Sequence, residues 1–347
     1  MKIAVMGAGG LGGFFGGKLA KAGQDVWFIA RDKQLAALKD SGLRLEGPDP
    51  EIVIAAPNAT DTPAEIGPVD VVLFCVKLYD VETAAELIRP IVGPHTVVIS
   101  VLNGIDGPDR LGQILAIAPV FSGAARVSAK IKAPGVISYL GHAARHKLTF
   151  GHPTQNDHPI IKPFIAVCQS AGFATELAID IDEMLWDKLA QLAQVAALTT
   201  LARLPIETAM QDLLLFDIGK RVLQEIAAVA QARKVAIDPA LVETKLALAA
   251  TYPPNLYASM YHDLVAGKKI EVEGIFGYVS KAGQPCAIPT PRLIWSMPSL
   301  GRMQMGRSWR INPVYEAGSS LAVAANDLLS KIGCQPLRRE RRDQDVR

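Results

Sequence analysis

The feature that most constrains this fold is a glycine pattern within the first twelve residues of the 347-residue chain. Gly7-Ala8-Gly9-Gly10-Leu11-Gly12 directly follows the mostly apolar run Lys2–Met6 and opens a segment with helical periodicity. In such a loop the first glycine permits a tight turn, the second lets the backbone approach a pyrophosphate, and the third allows close packing of helix on strand. The helix N-terminus then presents free N–H groups to the phosphates. Strand, turn and helix in this order predict a dinucleotide site, and a glycine-rich turn without a ligand is the alternative.

The segments that follow alternate between short apolar runs and helical patterns, which is typical of a parallel sheet covered by helices. We predict a helix over residues 11–22, strands over 25–30, 69–76 and 96–101, and a helix over Val81–Ile88 that ends before Pro90. From residue 121 to 150, glycines, alternating residues and a Pro134-Gly135 turn predict antiparallel hairpin strands. A further helix is predicted over 160–171.

Beyond about residue 179 the strand patterns stop, and helices are predicted over 182–203, 213–234, 239–250 and from near Ser259. The fold class is therefore α/β, with an N-terminal Rossmann-type dinucleotide-binding domain over residues 1–180. An all-helical C-terminal domain over 181–335 and a disordered tail over 336–347 complete the expected organisation. Since no Ser/Gly linker separates the domains, we expect a cleft between them, and such clefts commonly bind ligands.

Composition argues against several function classes. A formal net charge of +2 gives no electrostatic case for binding nucleic acid or an acidic membrane surface. The four cysteines and six histidines lack metal-ligand spacing, so we expect reduced thiols and no metal site. No segment approaches the roughly 20 apolar residues of a membrane span, and the N-terminus lacks a signal-peptide pattern. We expect a soluble, cytoplasmic monomer or homodimer.

The residues after the second predicted strand bear on the choice of cofactor. A site for NAD carries Asp or Glu at this point to hold the ribose hydroxyls, whereas this chain has Ala30 followed by Arg31. A guanidinium can grip a 2′-phosphate with two parallel hydrogen bonds, which favours NADPH. The neighbouring Asp32 could either repel that phosphate or orient Arg31.

Polar residues also follow the next two predicted strands. Lys77 comes directly after the run 71–76, and Asn103-Gly104 follows the run 96–101. Both lie at carboxyl ends of parallel strands, where open α/β sheets bind their ligands. A lysine at a strand end is often only a solubilising charge, but its pairing with an equivalent Asn-Gly favours a functional site.

Several short motifs occur in order along residues 1–295. They are Gly7-x-Gly9-x-x-Gly12, Arg31, Cys75-Val76-Lys77, Asn103-Gly104, Ala133-Pro134-Gly135-Val136, Phe150-Gly151, Trp186-Asp187-Lys188-Leu189, and Ser259-Met260-x-x-Asp263 followed by Glu271. In these motifs the sequence resembles the ketopantoate reductase (2-dehydropantoate 2-reductase) family. The resemblance implies NADPH-dependent reduction of a small 2-oxo acid to the 2-hydroxy acid. The first candidate is 2-dehydropantoate (ketopantoate) reduced to pantoate, a step of pantothenate biosynthesis.

The resemblance also implies catalytic roles for two residues. Lys188 matches the lysine that donates a proton to the carbonyl oxygen, and Glu271 matches the acid that holds the substrate hydroxyl and helps order the site. Burial can lower the pKa of such a lysine toward neutrality, as proton donation requires. From the residues alone, Lys188 could instead be an exposed charge on an amphipathic helix, and Glu271 could pair with Lys268 or Lys269.

Four further positions match binding residues of the family. The resemblance implies that Lys77 lies near the cofactor and the substrate, and that Asn103 binds both. Ser259 matches a substrate-binding position, and Asp263 supports that site. Ser259 and Asp263 are four residues apart, so they share one face if the segment is helical.

The chain departs from the family pattern after Lys188. The family usually carries asparagines four and eight residues on, where this chain has Leu192 and Ala196. Either the substrate is a more apolar 2-oxo acid, or Gln191 and Gln194 compensate from neighbouring helix faces. Gln191 lies about 100° around the helix from Leu192, which disfavours a simple replacement. A non-catalytic NADPH-binding sensor is the alternative from another functional class.

Overall fold

The computed structural model of the chain describes residues 1–293, and the predicted end of the helical domain and the tail over 336–347 lie outside them. In chain order, the strands are β1 (Lys2–Met6), β2 (Asp25–Ile29), β3 (Leu43–Glu46), β4 (Ile52–Ile54), β5 (Asn58–Thr60), β6 (Val71–Phe74), β7 (Val97–Ser100), β8 (Val120–Arg126), β9 (Ser128–Ala133), β10 (Val136–Leu140), β11 (Lys147–Gly151) and β12 (Ala174–Leu177). The helices are α1 (Gly10–Lys21), α2 (Asp32–Ser41), α3 (Val81–Ile88), α4 (Gly107–Ile114), α5 (Ile161–Ser170), α6 (Ile181–Ala202), α7 (Ile206–Gln211), α8 (Leu213–Ala232), α9 (Leu241–Ala249), α10 (Ser259–Val265) and α11 (Tyr278–Gly283).

An eight-stranded sheet forms the centre of the N-terminal half, in the order β12-β11-β8-β7-β6-β1-β2-β5. Its neighbours pair in parallel except β8 with β11, which are antiparallel. All residues of β6 and β7 are buried, as expected for valine- and isoleucine-rich strands covered on both faces. The Rossmann-type prediction is confirmed, and the parallel register brings the ends of β1, β6 and β7 to one sheet edge.

A second sheet, in the order β4-β3-β10-β9, packs against α1. Strands β9 and β10 form the hairpin predicted at Pro134-Gly135, with antiparallel pairing. Strand β8 also pairs antiparallel with β11, in line with the antiparallel strands predicted over 121–150, but on its other side it pairs in parallel with β7. Phe121 of β8 is fully buried in the core that the main sheet shares with α1.

The described residues beyond β12 form helices and contain no strand, which confirms the helical C-terminal region. Helix α6 packs on β8 of the sheet, and α8 packs on α6, so that Leu189 and Val222 share one core with Val72 and Val98 of the sheet. The end of β6 also meets the C-terminal region, because Lys77 contacts Asp263 and Glu271. The predicted domain boundary at residue 180 falls between β12 and α6 and stays a prediction.

Several elements lie where no pattern predicted them, among them α2, α4, α7 and the short strands β3, β4, β5 and β12. Helix α9 begins at Leu241, two residues later than predicted. The Asp238 carboxylate accepts a hydrogen bond from the Ala240 N–H at 2.8 Å, so it closes a turn before the helix.

No helix within residues 1–293 is long and apolar enough to cross a membrane. In the same part of the chain, no group of three or more histidine, cysteine, aspartate or glutamate side chains is placed to hold a metal ion. Cys75, Cys168 and Cys286 are free thiols.

Candidate active site

The glycine loop between β1 and α1 has three distinct packing requirements. Gly7 has a positive φ of 97°, and a Cβ on Gly12 would lie 2.1 Å from the Gly7 carbonyl oxygen. A Cβ on Gly10 would lie 2.2 Å from the Ala129 carbonyl oxygen, so these positions exclude side chains through the protein's own packing. A Cβ on Gly9 would meet no protein atom within 4 Å. The space over Gly9 is therefore open, as close approach of a pyrophosphate requires.

The N-terminus of α1 is left free for an anion. Gly9 is its N-cap, no side chain caps it, and the first turn contains no acidic residue. The unsatisfied N–H groups and the positive end of the helix dipole therefore point toward the open space over Gly9.

Gln34 on α2 braces this loop, a role for which the sequence carries no local signal. Its side-chain amide donates to the Ala8 carbonyl oxygen at 2.9 Å, and its side-chain oxygen accepts from the Gly135 N–H at 3.1 Å. One side chain thus ties the loop to the β9–β10 turn.

Arg31 caps the start of α2 with an exposed side chain that lies between two carboxylates. Its Nη2 is 3.3 Å from Asp80 Oδ2, and its Nε is 4.0 Å from Asp32 Oδ2. Asp32 therefore lies close enough to orient Arg31, and Asp80 is a partner that the sequence did not reveal. The guanidinium, 77% exposed, remains accessible to a further anion.

Lys77, Asp263 and Glu271 form one charged cluster at the end of β6. Lys77 Nζ lies 2.7 Å from Asp263 Oδ2 and 3.2 Å from Glu271 Oε2. Glu271 is 5% exposed, and its Oε1 accepts a hydrogen bond from the Leu78 N–H at 3.0 Å. Burial would lower the pKa of Lys77, but the carboxylates of Glu271 and Asp263 raise it above its usual value. Glu271 therefore pairs with Lys77, and not with Lys268 or Lys269 as the sequence alternative had it.

Close packing of glycines brings the Asn103 loop to the same cluster. Gly104 has a φ of 89°, and its Cβ would lie 2.9 Å from the Gly274 carbonyl oxygen. A Cβ on Gly274 would in turn lie 2.3 Å from Leu78 Cδ1. Gly274 belongs to a π-helical turn, Glu273–Gly277, that starts two residues after Glu271. Such turns are frequent at functional sites, and here the turn presents Glu271 to the loops after β6 and β7.

Lys188 lies half-buried on α6 and has no hydrogen-bond or ion-pair partner within residues 1–293. Desolvation lowers the pKa of Lys188 to about 8, although the charge of Glu271 opposes the shift. The side chain therefore interconverts between ammonium and amine near neutral pH, which suits a proton donor. The alternative of a solvated surface charge is inconsistent with this burial.

The structure does not give every predicted site residue a polar partner. Asn103 is half-buried at the end of β7, and Ser259 is the exposed first residue of α10. Within the described residues, neither side chain forms a hydrogen bond. Asp263, one turn beyond Ser259, is the member of this helix that joins the charged cluster.

The face of α6 beyond Lys188 is apolar. Leu192 packs against the core that α6 and α8 share with the sheet, and Ala196 is buried in that core. The Gln191 amide donates to Gln194 Oε1 at 3.4 Å, and the Gln194 amide contacts the Met210 sulfur at 3.9 Å. Gln194 is thus directed toward α7 and Gln191 toward Gln194, so these amides bond within the helical region.

Residues 3–155 match the family described as ketopantoate reductase PanE/ApbA, and residues 180–295 match its C-terminal domain. The chain belongs to the ketopantoate reductase family. It is an oxidoreductase of the 2-dehydropantoate 2-reductase type.

Similar proteins cover most of the chain. It is 28% identical to the 2-dehydropantoate 2-reductase of Pyrococcus abyssi over 86% of this chain and 96% of that protein. The crystal structure of a PanE/ApbA family ketopantoate reductase from Ralstonia eutropha is similar at a TM-score of 0.81 and 27% identity, covering 88% of this chain and 99% of that one. A D-mandelate dehydrogenase in a ternary structure with NADH and anilino(oxo)acetate shares the fold at a TM-score of 0.80 and 21% identity, over 88% and 99% of the two chains.

Proposed function

We propose that this member of the family catalyses the NADPH-dependent reduction of a small 2-oxo acid to the 2-hydroxy acid, with Lys188 as the proton donor. The observation that carries the proposal is the half-buried ammonium of Lys188, which has no ion-pair partner among residues 1–293 and has its pKa lowered to about 8. The charge of Glu271, which belongs to the charged cluster at the end of β6, acts on this ammonium.

Each of the site residues has a separate role in the proposed reaction. When bound, the reduced nicotinamide supplies a hydride to the carbonyl carbon of the substrate. The Lys188 ammonium donates a proton to the carbonyl oxygen, which becomes the hydroxyl, and is left as a neutral amine. Its positive charge also stabilises the alkoxide as negative charge develops there. Asn103 and Ser259, whose side chains form no hydrogen bond within residues 1–293, bind the substrate.

Lys77 has a different role from a substrate-binding cation. Its ammonium is already held by Asp263 and Glu271, so it offers little free charge to a substrate carboxylate. We assign Lys77 to holding Glu271 in place. Glu271, with donors on both oxygens, then acts chiefly by setting the electrostatic field at Lys188.

The assignment of NADPH rests on Arg31 and on the glycine loop. A 2′-phosphate would take the position of Asp80 as the partner of the accessible guanidinium, gaining a doubly hydrogen-bonded contact. The carboxylates of Asp32 and Asp80 beside Arg31 oppose a second anion, so the preference for NADPH over NADH should be finite.

Gly9→Ala should weaken NADPH binding by roughly tenfold or more, about 1.4 kcal/mol, without changing the melting temperature. The backbone of Gly9, at φ −82° and ψ −156°, accepts an alanine, and its Cβ meets only open space in the protein. Calorimetric titration with NADPH measures the loss. Gly112→Ala on α4, where a Cβ also meets no atom within 4 Å, is the matched control and should bind normally. Equal affinity for Gly9→Ala and wild type would exclude a pyrophosphate at this loop.

A more apolar 2-oxo acid is the second candidate substrate, because Leu192 and Ala196 leave the Lys188 face without amides. A site built to hydrogen-bond a substrate hydroxyl rejects analogues that lack it, whereas an apolar site discriminates less. Likeness in fold to a D-mandelate dehydrogenase makes an aryl 2-oxo acid a sensible test compound.

Steady-state assays with NADPH and with NADH test the proposed function. The panel is 2-dehydropantoate, its analogue 2-oxoisovalerate, which lacks the hydroxymethyl group, and phenylglyoxylate. We expect turnover of at least one compound, with a higher kcat/KM for NADPH than for NADH. A higher kcat/KM for 2-oxoisovalerate or phenylglyoxylate than for 2-dehydropantoate would support the apolar substrate. Tight binding of NADPH without its oxidation by any of these compounds would contradict the proposed reductase activity and favour an NADPH sensor.

A further inference from the structure

Arg110 on α4 is the most extensively bonded arginine near the charged cluster, and the function proposed above gives it no role. Its Nε and Nη2 donate to the two carboxylate oxygens of Glu82 at 2.7 Å and 2.8 Å. Its Nη2 also donates to the Leu78 carbonyl oxygen at 2.8 Å, and its Nη1 lies 3.4 Å from Asp106 Oδ2. The side chain is only 26% exposed. A guanidinium held at three points is a rigid support, unlike a solvated surface pair.

Arg110 and Glu271 both form hydrogen bonds with the backbone of Leu78. The carbonyl of Leu78 accepts from Arg110, while the N–H of Leu78 donates to Glu271 Oε1 at 3.0 Å. The side chain of Leu78 also lies against Gly274, in the π-helical turn that follows Glu271. Any movement of Leu78 therefore moves the hydrogen-bond donor of a buried carboxylate.

We propose that Arg110 is a positioning residue that fixes Leu78 and thereby the carboxylate of Glu271 in the active site. The inference rests on the proposed function for its catalytic consequence, but its structural part does not. Arg110 touches neither the reacting atoms nor Lys188, so its effect on chemistry passes through Glu271. The alternative is that Arg110 only fastens α4 to α3 through Glu82, which would affect stability alone.

The positioning role and the purely structural role of Arg110 predict different effects on the pKa of Lys188. The charged and titratable groups around Glu271 are Lys77, Asp263, Tyr79 and Lys188. Burial lowers the pKa of Lys188 and the charge of Glu271 opposes this, so withdrawal of the carboxylate lowers that pKa further. A positioning role therefore predicts that loss of Arg110 moves the Lys188 titration to lower pH. A purely structural role predicts an unmoved titration.

The experiment measures the pKa of Lys188 by competitive acetylation across pH with mass spectrometry, in the full chain and without need of turnover. Arg110→Ala should lower this pKa, and Arg110→Lys should restore part of the difference. Glu82→Gln, which weakens the same support from its other side, should act in the same direction if Arg110→Ala folds poorly. Arg221→Ala, which breaks an exposed ion pair within α8, is the control and should change nothing.

A double variant decides whether Arg110 acts through Glu271. In a Glu271→Gln background, Arg110→Ala should produce no further shift of the Lys188 titration, because the charge it positions is gone. An unchanged titration in Arg110→Ala and Glu82→Gln, or an equal shift in both backgrounds, would overturn the proposal. In turnover assays we expect kcat to fall roughly tenfold in Arg110→Ala with little change in the KM for NADPH. A wild type that shows the labelling result but no turnover would refute the proposed function and leave the positioning role standing.

Discussion

Lys188→Ala should lower kcat roughly 10²- to 10⁴-fold, the contribution expected of a positioned general acid. The affinity for NADPH should stay within a factor of about two, because the predicted cofactor contacts lie on the glycine loop and Arg31. Pre-steady-state and steady-state assays with the best compound of the panel measure the first effect, and calorimetry the second. Lys162→Ala, which removes an exposed lysine of α5, is the matched control. Wild-type rates for Lys188→Ala on every accepted substrate would refute the assigned role.

The pH dependence follows from the same residue. Lys188 must be protonated to donate, so the rate of reduction should fall as pH rises through about 8 in the wild type, and this limb should be absent in the variant. Burial of Lys188 also makes the folding stability depend on pH, in the direction opposite to that of a lysine held by a carboxylate. Because the folded pKa is lowered, the folded state disfavours the ammonium, and stability rises as pH increases from about 8 toward the ordinary pKa. Lys188→Ala should therefore melt no lower than wild type at pH 7.

The parts of the site that the sequence predicted are those fixed by local geometry. The glycine loop, Lys77 and Asn103 each follow an apolar run directly, and parallel pairing alone then places them at one edge of the sheet. Arg31 follows in the same way from the end of β2. No tertiary information is needed for any of these placements.

The parts that escaped prediction depend on contacts between distant segments. Lys77 and Glu271 are 194 residues apart, and no periodicity relates them. The same holds for the proposed positioning role of Arg110, which depends on a hydrogen bond from α4 to the carbonyl of Leu78 in the turn after β6. Glu271 itself follows a bend after α10 and precedes a π-helical turn, so helical spacing gave no position for it. Its role came from the family resemblance, and its partners from the structure.

Glu271→Gln should lower kcat/KM roughly 100-fold, about 2.7 kcal/mol in transition-state stabilisation. The substitution preserves the shape of the side chain, and its amide oxygen can still accept from the Leu78 N–H. What it removes is the negative charge that pairs with Lys77 and opposes the lowering of the Lys188 pKa. The basic limb of the pH profile should consequently move to lower pH. Rate measurements from pH 6 to 9 report both effects.

Asp263→Asn provides the comparison that separates charge at Glu271 from charge in the cluster generally. It also removes a carboxylate from Lys77, at 2.7 Å, but leaves the contacts of Glu271 with Lys77 and Leu78 intact. Its effect on kcat should be smaller, and its basic limb should stay where the wild type has it, because Asp263 does not contribute to the pKa shift of Lys188. Equal displacement of the limb by both variants would mean that Lys77, rather than Glu271, sets the protonation of the catalytic lysine.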